Sequence, residues 1–156
     1  MVKESTKTVA LEYLRQNPVF RRLTTEEMKM IIDLSETETY GAGDVVFVQG
    51  DPAKKLFFVE KGRVGISLQP TSTRQVTVTT EYQGGVFGWS ALMPPQIYTA
   101  SARCFDDCEL LAVDGAKLRE LCYREPTIGV KAMEGLALLI AGRLDNARLQ
   151  LLDMFK

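Results

Sequence analysis

The chain has 156 residues, of which 46% are hydrophobic, and this is enough for one globular domain with a sizeable core. Its 19 basic and 20 acidic side chains give a formal net charge of −1, which argues against direct nucleic-acid binding, because that needs concentrated positive charge. Histidine is absent, which removes the commonest general base and metal ligand and argues against an enzyme.

The N-terminal part of the chain predicts helices. It has no apolar run typical of a secretion signal, and Glu12 to Leu34 has helical spacing that Asn17 and Pro18 interrupt. Thr24 and Glu27 have the spacing of a capping box, in which each side chain bonds to the other residue's backbone amide. We therefore expect a second helix to begin after Thr24.

Short apolar runs separated by glycine turns predict strands through the middle of the chain. Val64 to Leu68 alternates apolar and polar residues, as in a strand with one buried face, whereas Val45–Val48 and Leu56–Val59 are continuous apolar runs, typical of strands covered on both faces. Further strands are predicted at Tyr98–Phe105 and Glu109–Val113. Seven or eight such strands, by a rough reading, favour a sandwich, roll or barrel.

The three cysteines, Cys104, Cys108 and Cys122, fit no disulfide framework. Cys104 and Cys108 also match no common zinc-site spacing, so no metal site is expected. Two interpretations stay open for this pair: buried thiols that act as small apolar residues, or a redox switch. No segment has the roughly 20 apolar residues that span a bilayer. We expect a cytoplasmic protein without membrane contact.

The last third of the chain predicts helices again. Asp114 can cap a short helix, and Pro126 suits the first turn of a long helix that nothing interrupts up to Lys156. Thirty residues, as a rough count, would extend roughly 45 Å, which is longer than a small domain covers. Gly135 and Gly142 lie one heptad apart. They either admit close packing of the two helices of a coiled coil or are incidental.

Hydrophobic residues of this long helix recur at alternating spacings of four and three, as in a coiled-coil seam. The seam residues are Met133, Ala137, Ile140, Leu144, Ala147, Leu151 and Met154. Because a single small domain would leave much of this seam uncovered, we predict a homodimer that forms through it.

The predicted organisation is therefore one domain over residues 1–156. It comprises N-terminal helices over residues 1–39, a β-roll over residues 40–114 and C-terminal helices over residues 115–156. A DNA-binding domain is not expected, since the only long helix mixes acidic and basic residues around an apolar seam.

This order of elements, together with several motifs, resembles the cyclic nucleotide-binding domain superfamily, which includes the sensor domains of the catabolite activator and of kinase regulatory subunits. The motifs are Asn17-Pro18-Val19-Phe20, Gly41-Ala42-Gly43-Asp44, Gly50-Asp51-Pro52, Val59-Glu60-Lys61-Gly62-Arg63-Val64, and Phe87-Gly88 with Ala91-Leu92. The resemblance implies a mainly β fold: a double-stranded β-helix, or jelly-roll-like β-roll, with N-terminal helices and a long C-terminal helix. It also implies a stand-alone, non-catalytic, ligand-sensing regulatory module.

In that family a Phe-Gly-Glu-Leu-Ala-Leu turn supplies a glutamate to the ribose, and a following Arg-Ala-Ala supplies an arginine to the cyclic phosphate. The resemblance places the ligand segment at Phe87, Gly88, Trp89, Ser90, Ala91, Leu92, Tyr98, Thr99 and Ala100. Trp89 stands in the glutamate position and Tyr98 in the arginine position. Because removing one partner of a buried charge pair costs about 2–5 kcal/mol, we expect weak or altered ligand specificity. Arg103 should point away from residue 98, since strand side chains alternate faces.

Two interpretations of the ligand segment stay open. In the first, Trp89 and Tyr98 stack on an altered ligand, Ser90 and Thr99 hydrogen-bond to it, and the amides near Ser90 and Ala91 form a weak anion site. The ligand would be a cyclic nucleotide or another small anionic or aromatic molecule. In the second, the two aromatic rings fill the pocket, and the chain is a ligand-free dimerisation module that acts through a partner protein.

Overall fold

The computed structural model describes residues 10–12 and 14–156, so that part of the predicted N-terminal helical region, residues 1–9 and 13, lies outside the described residues. Residues 10–12 and 14–16 are helical. The remaining helices are α1 (Thr25–Ile32), α2 (Gly115–Arg124) and α3 (Pro126–Asp153). The strands are β1 (Ser35–Tyr40), β2 (Val45–Phe47), β3 (Lys55–Lys61), β4 (Val64–Thr71), β5 (Arg74–Glu81), β6 (Val86–Phe87), β7 (Ser101–Cys104) and β8 (Cys108–Asp114).

The eight strands form two four-stranded antiparallel sheets, in the orders β1-β8-β3-β6 and β2-β7-β4-β5. This confirms the predicted β-roll with flanking helices. The roll begins at Ser35, earlier than the predicted residue 40, because all of β1 pairs with β8, from Ser35 opposite Val113 to Tyr40 opposite Cys108. The polar composition of β1 concealed this edge strand from the hydrophobic pattern.

The central strands β3 and β8 of their sheet are buried on both faces. Phe57 and Val59 of β3 face the core between the two sheets, whereas Leu56 and Phe58 face the core beneath the helices. The prediction for Leu56–Val59, a strand covered on both sides, is therefore confirmed. Strand β8 repeats the arrangement, since alternate apolar residues from Leu110 onward enter the two cores.

The other sheet departs from the predicted patterns at two places. The strand predicted at Val45–Val48 is β2, an edge strand in which Phe47 is buried while Val45 is 45% exposed, so the expectation of burial on both faces was wrong. In β4 a bulge follows Ile66, so that Ser67 is buried and Leu68 is 41% exposed. The bulge reverses the alternation of faces, which a regular pattern cannot foresee.

The predicted helix starts agree with the structure, whereas α3 ends at Asp153 and not at the predicted Lys156. The Thr24 amide donates to Glu27 Oε1 at 2.9 Å and the Glu27 amide donates to Thr24 Oγ1 at 3.2 Å, which forms the capping box at the start of α1. The Lys117 amide donates to the carboxylate of Asp114 at 3.0 Å, which caps α2. Pro126 opens α3, as predicted.

Helix α3 has 28 residues, and its buried face is confined to its first half, at Ile128, Gly129, Ala132, Gly135 and Leu136. Gly135 lies so close to the Val19 backbone that a Cβ atom would collide with the Val19 carbonyl. At Gly142 a Cβ atom would meet nothing within 4 Å. Close packing therefore explains Gly135, against the chain's own N-terminal segment, and does not explain Gly142.

Cys104 and Cys108 are buried free thiols in the core between the sheets. Burial, reinforced by the hydrogen bond with Cys108, raises the pKa of Cys104 to about 12. A thiol must ionise to act as a nucleophile, so this environment supports the apolar interpretation of the pair. Among the described helices, none is long and apolar enough to cross a membrane.

Candidate functional site

The predicted ligand segment begins with a tight connection between β6 and a single 3-10 turn, Trp89–Leu92. Gly88 joins them with φ at +80°, a left-handed conformation that favours glycine, and a Cβ atom there would lie 3.1 Å from the Lys55 carbonyl oxygen. The Ala91 amide donates to the Gly88 carbonyl at 3.2 Å. The anion site predicted at these amides therefore loses its Ala91 donor, and one short turn has little dipole to offer.

Tyr98, in the position of the family arginine, turns into the core and is only 5% exposed. Its ring stacks on Phe47, with centroids 3.6 Å apart and planes 5° from parallel. Its hydroxyl donates to the Lys55 carbonyl oxygen at 2.7 Å and accepts from the Lys55 amide at 3.3 Å. Burial raises the pKa of Tyr98. The phenol is therefore satisfied by the backbone of β3.

Backbone hydrogen bonds of Tyr98 shorten the strand predicted at Tyr98–Phe105. The Tyr98 amide donates to the Asp51 carbonyl at 3.0 Å, and the Gly50 amide donates to the Tyr98 carbonyl at 2.8 Å. These bonds attach Tyr98 to the loop before β3, so the strand itself is Ser101–Cys104. Arg103 on this strand is exposed and lies outside the cavity lining, as its strand position predicted.

The ligand segment surrounds one small cavity of about 50 Å³. Its lining consists of Phe47, Ile66, Phe87, Gly88, Trp89, Ser90, Tyr98, Thr99, Ala100 and Arg143. All the predicted ligand residues line it except Ala91, which is fully buried, and Leu92, which lines a different groove. Ligand pockets usually have about 300–1,000 Å³. The side chains therefore hold this site nearly closed.

Arg143 of α3 closes one side of the cavity. Its guanidinium carbon lies 5.1 Å from the centroid of the Trp89 ring, within cation–π distance, and it forms an ion pair with Glu81 at the end of β5. Glu81 is 6% exposed. Burial raises the pKa of Glu81, while the charge of Arg143 acts in the opposite direction.

Sequence reasoning missed Arg143, although the sequence contains a signal for it. Arg143 comes seven residues after Leu136 and four after Leu139, so it continues the stripe by which α3 packs on the domain. A charged residue in such a stripe needs a buried partner, here Glu81. Phe47 was also missed as a site residue, because its strand was interpreted only as part of the core.

Known proteins resemble this chain in sequence and in fold. A profile of the cyclic nucleotide-binding domain matches residues 37–125, more than half of the chain. The chain belongs to this family. A Geobacter metallireducens protein assigned to cyclic nucleotide binding superposes with a TM-score of 0.75 at 30% identity, over 86% of this domain and 98% of that chain.

Two curated relatives extend well beyond this cyclic nucleotide-binding domain. The cyclic AMP receptor protein of Thermus thermophilus is 29% identical over 138 residues, which are 88% of this chain and 62% of the receptor. Glutaminase 2 of Bradyrhizobium diazoefficiens is 33% identical in an alignment of 150 residues that covers 92% of this chain and 22% of that protein. The domain therefore spans less than two thirds of either relative.

The predicted dimer seam of this cyclic nucleotide-binding domain lies mainly on the outer side of α3. Met133, Leu144 and Met154 are 39%, 50% and 79% exposed. Ile140 is the exception, because it is half-buried against the helical core. The first seam residues also line an apolar groove of about 580 Å³ between α2 and α3. The seam is therefore available in the single chain.

Proposed function

We propose that this domain is a non-catalytic, ligand-sensing regulatory module whose ligand specificity differs from that of its relatives. One observation carries the proposal: Trp89 and Tyr98 line a single cavity together with Ser90, Thr99 and Arg143. Two aromatic rings, two hydroxyl groups and one cation suit a planar ligand with a negative charge.

Ligand entry requires the cavity to open, since about 50 Å³ is far below the roughly 300 Å³ at which ligand pockets begin. Opening would separate Tyr98 from Phe47, or Trp89 from Arg143, and both contacts stabilise the closed form. Part of the binding free energy is then spent on opening the site, so we expect weak affinity. The same requirement would couple ligand binding to a change of shape.

The test is a titration of the purified chain with cyclic AMP and cyclic GMP up to millimolar concentration, followed by calorimetry. Trp89 is the only tryptophan in the sequence, so its fluorescence reports directly on the cavity. We expect saturable heat and a matching change in emission with one of the two nucleotides. Ser90→Ala and Thr99→Ala should each weaken binding by about threefold to tenfold, with unchanged sedimentation. A flat titration by both methods would overturn cyclic nucleotide sensing.

A second candidate function is a ligand-free dimerisation module acting through a partner protein. The Tyr98 ring stacked on Phe47, with its hydroxyl bonded to Lys55, supports this alternative because it leaves little empty space. This candidate predicts that no small molecule raises the melting temperature, and that replacing Trp89 with alanine only destabilises the domain.

We further infer a homodimer, formed through the seam on α3, with a protein effector as its partner and the cytoplasm as its compartment. The exposed seam and its adjoining apolar groove support the dimer.

Free, buried cysteines suit a reducing compartment. The balanced net charge supports the absence of direct DNA contact. The lack of histidine, the commonest general base, supports a regulatory role over catalysis.

A further inference from the structure

Among the described residues that line the cavity, Arg143 is the one with a charged side chain. It is also partly shielded, with 26% of its side chain exposed, so its charge acts through a medium less polar than water. The guanidinium has five donors in a planar fork, and the single carboxylate of Glu81 does not use all of them. Arg143 can therefore contact a second anion.

The other sources of positive potential near the ligand segment are weaker. The Ala91 amide is already bonded to the Gly88 carbonyl, and Arg103 is exposed outside the cavity. Tyr98, which stands where the family has its arginine, bonds to the Lys55 backbone. A negatively charged ligand that entered this cavity would therefore find its cation on α3.

We propose that Arg143 binds the negative charge of a ligand in this cavity and releases Glu81 in doing so. The proposal rests on the ligand-sensing function proposed above and identifies its charge-recognising residue. Glu81 then acts as an internal anion that occupies Arg143 while the site is empty. In that empty state the guanidinium lies over the Trp89 ring at cation–π distance.

The exchange would act on the long helix. The pair between Glu81 and Arg143 joins the end of β5 to α3, and Arg143 lies next to Leu144, a residue of the predicted seam. Release of Glu81 removes one attachment of the helix to the roll. Anion binding would thereby alter the position of the seam, the surface through which we expect two copies to meet.

The experiment measures binding of two probes, cyclic AMP and adenosine, which share a base and a ribose but differ in the phosphate. Affinities are read from Trp89 fluorescence and calorimetry for the wild type and four variants: Glu81→Gln, Arg143→Gln, the double variant Glu81→Gln/Arg143→Gln, and Arg148→Gln. Arg148 is a matched control, because it lies on the same helix with 67% of its side chain exposed. The double variant guards against unfolding, since it removes both charges of the pair together.

We expect Glu81→Gln to bind cyclic AMP about tenfold more tightly than the wild type, because the competing carboxylate is gone. The double variant should bind cyclic AMP about 30-fold more weakly than Glu81→Gln. Arg148→Gln should match the wild type, and adenosine should bind all variants alike. Equal cyclic AMP affinity in Glu81→Gln and the double variant would overturn the role of Arg143.

The arms also separate this proposal from the proposed function. Binding of cyclic AMP by Glu81→Gln alone would support Arg143 while refuting cyclic nucleotide sensing by the native chain. Binding by the wild type that is insensitive to Arg143 would support sensing and refute the role of Arg143. If neither the wild type nor any variant bound cyclic AMP, the proposed function and the role of Arg143 would both be refuted.

Discussion

Two buried carboxylates of the β-roll have contrasting surroundings. Glu81 is paired with Arg143, whereas Glu60 is 5% exposed and its Oε1 atom has no hydrogen-bond partner among the described residues. Burial raises the pKa of Glu60, and the nearby charge of Glu109 raises it further. An ionised Glu60 therefore destabilises the fold, because an unpaired charge has been removed from water.

Glu60 gives a pH dependence whose sign follows from this shift. A carboxyl with a raised pKa binds more protons in the folded chain than in the unfolded chain, so its contribution to stability falls as the pH rises from about 4.5 through the raised pKa. Glu60→Gln should remove this fall and increase the free energy of unfolding at pH 7. Urea denaturation at roughly pH 4.5, 5.5, 6.5 and 7.5 would measure how the free energy of unfolding changes with pH.

Glu36→Gln is the control, because Glu36 is exposed on β1. It should leave both the slope against pH and the stability at pH 7 nearly unchanged. An unchanged slope in Glu60→Gln would mean that Glu60 does not titrate as its burial implies.

At the scale of single residues, part of the site could be predicted from the sequence. The motif around Gly88 identified Trp89 and Tyr98 as replacements for the charged residues of the family, and the structure brings both to one cavity. It could not foresee that the Tyr98 hydroxyl would find the Lys55 carbonyl, since that bond depends on how the loop before β3 closes. Arg143 was missed because it reaches the cavity from a helix more than forty residues along the chain.

Helix α3 is the element in which packing and intrinsic helix preference oppose each other. Gly135 touches the Val19 backbone, whereas Gly142 faces open space. Alanine is the better helix former by about 1 kcal/mol at both positions. The same substitution should therefore have opposite effects at the two glycines, because only one of them is confined.

Gly135→Ala should lower the free energy of unfolding by about 1–3 kcal/mol, since the added methyl group would displace Val19 or the helix. Gly142→Ala, the matched control, should raise it by about 0.5–1 kcal/mol. Chemical denaturation at a fixed protein concentration would distinguish them. If both variants were stabilised to the same degree, the contact between α3 and the N-terminal segment would be too loose to restrict the helix.

The elements with strong local signals were predicted well. Thr24, Asp114 and Pro126 mark helix starts because capping is a local interaction, and all three starts agree with the structure. Strand β1 was not predicted, because its stability comes from pairing with β8, more than sixty residues away. The edge position of β2 likewise depends on the sheet order, which the pattern of a single strand does not contain.

At the scale of the whole molecule, the second half of α3 leaves apolar side chains uncovered. Leu144 and Leu149 are 50% and 60% exposed, but only Leu144 belongs to the predicted seam. An aspartate in a paired seam would be buried without a partner, whereas an aspartate on the open side of the helix would be solvated.

Leu144→Asp should convert a dimer into monomers, and Leu149→Asp should leave the dimer intact. Sedimentation velocity over a range of protein concentrations would measure both. Leu144 is preferable to Ile140, because Ile140 also packs against the helical core and its replacement would disturb the fold. A dimer that persists in Leu144→Asp would place the interface elsewhere.

The sheet formed by β1, β8, β3 and β6 separates the two cores of the molecule. Successive residues of β3 alternate between those cores, so Leu56 through Val59 leave no position facing water. In a saturation mutagenesis library, Leu56 through Val59 and the middle of β8 should therefore reject polar codons at every position. Strand β5, which is largely exposed, should accept them at most positions. Mutational tolerance along the chain would thus reveal which sheet has helices on its outer face.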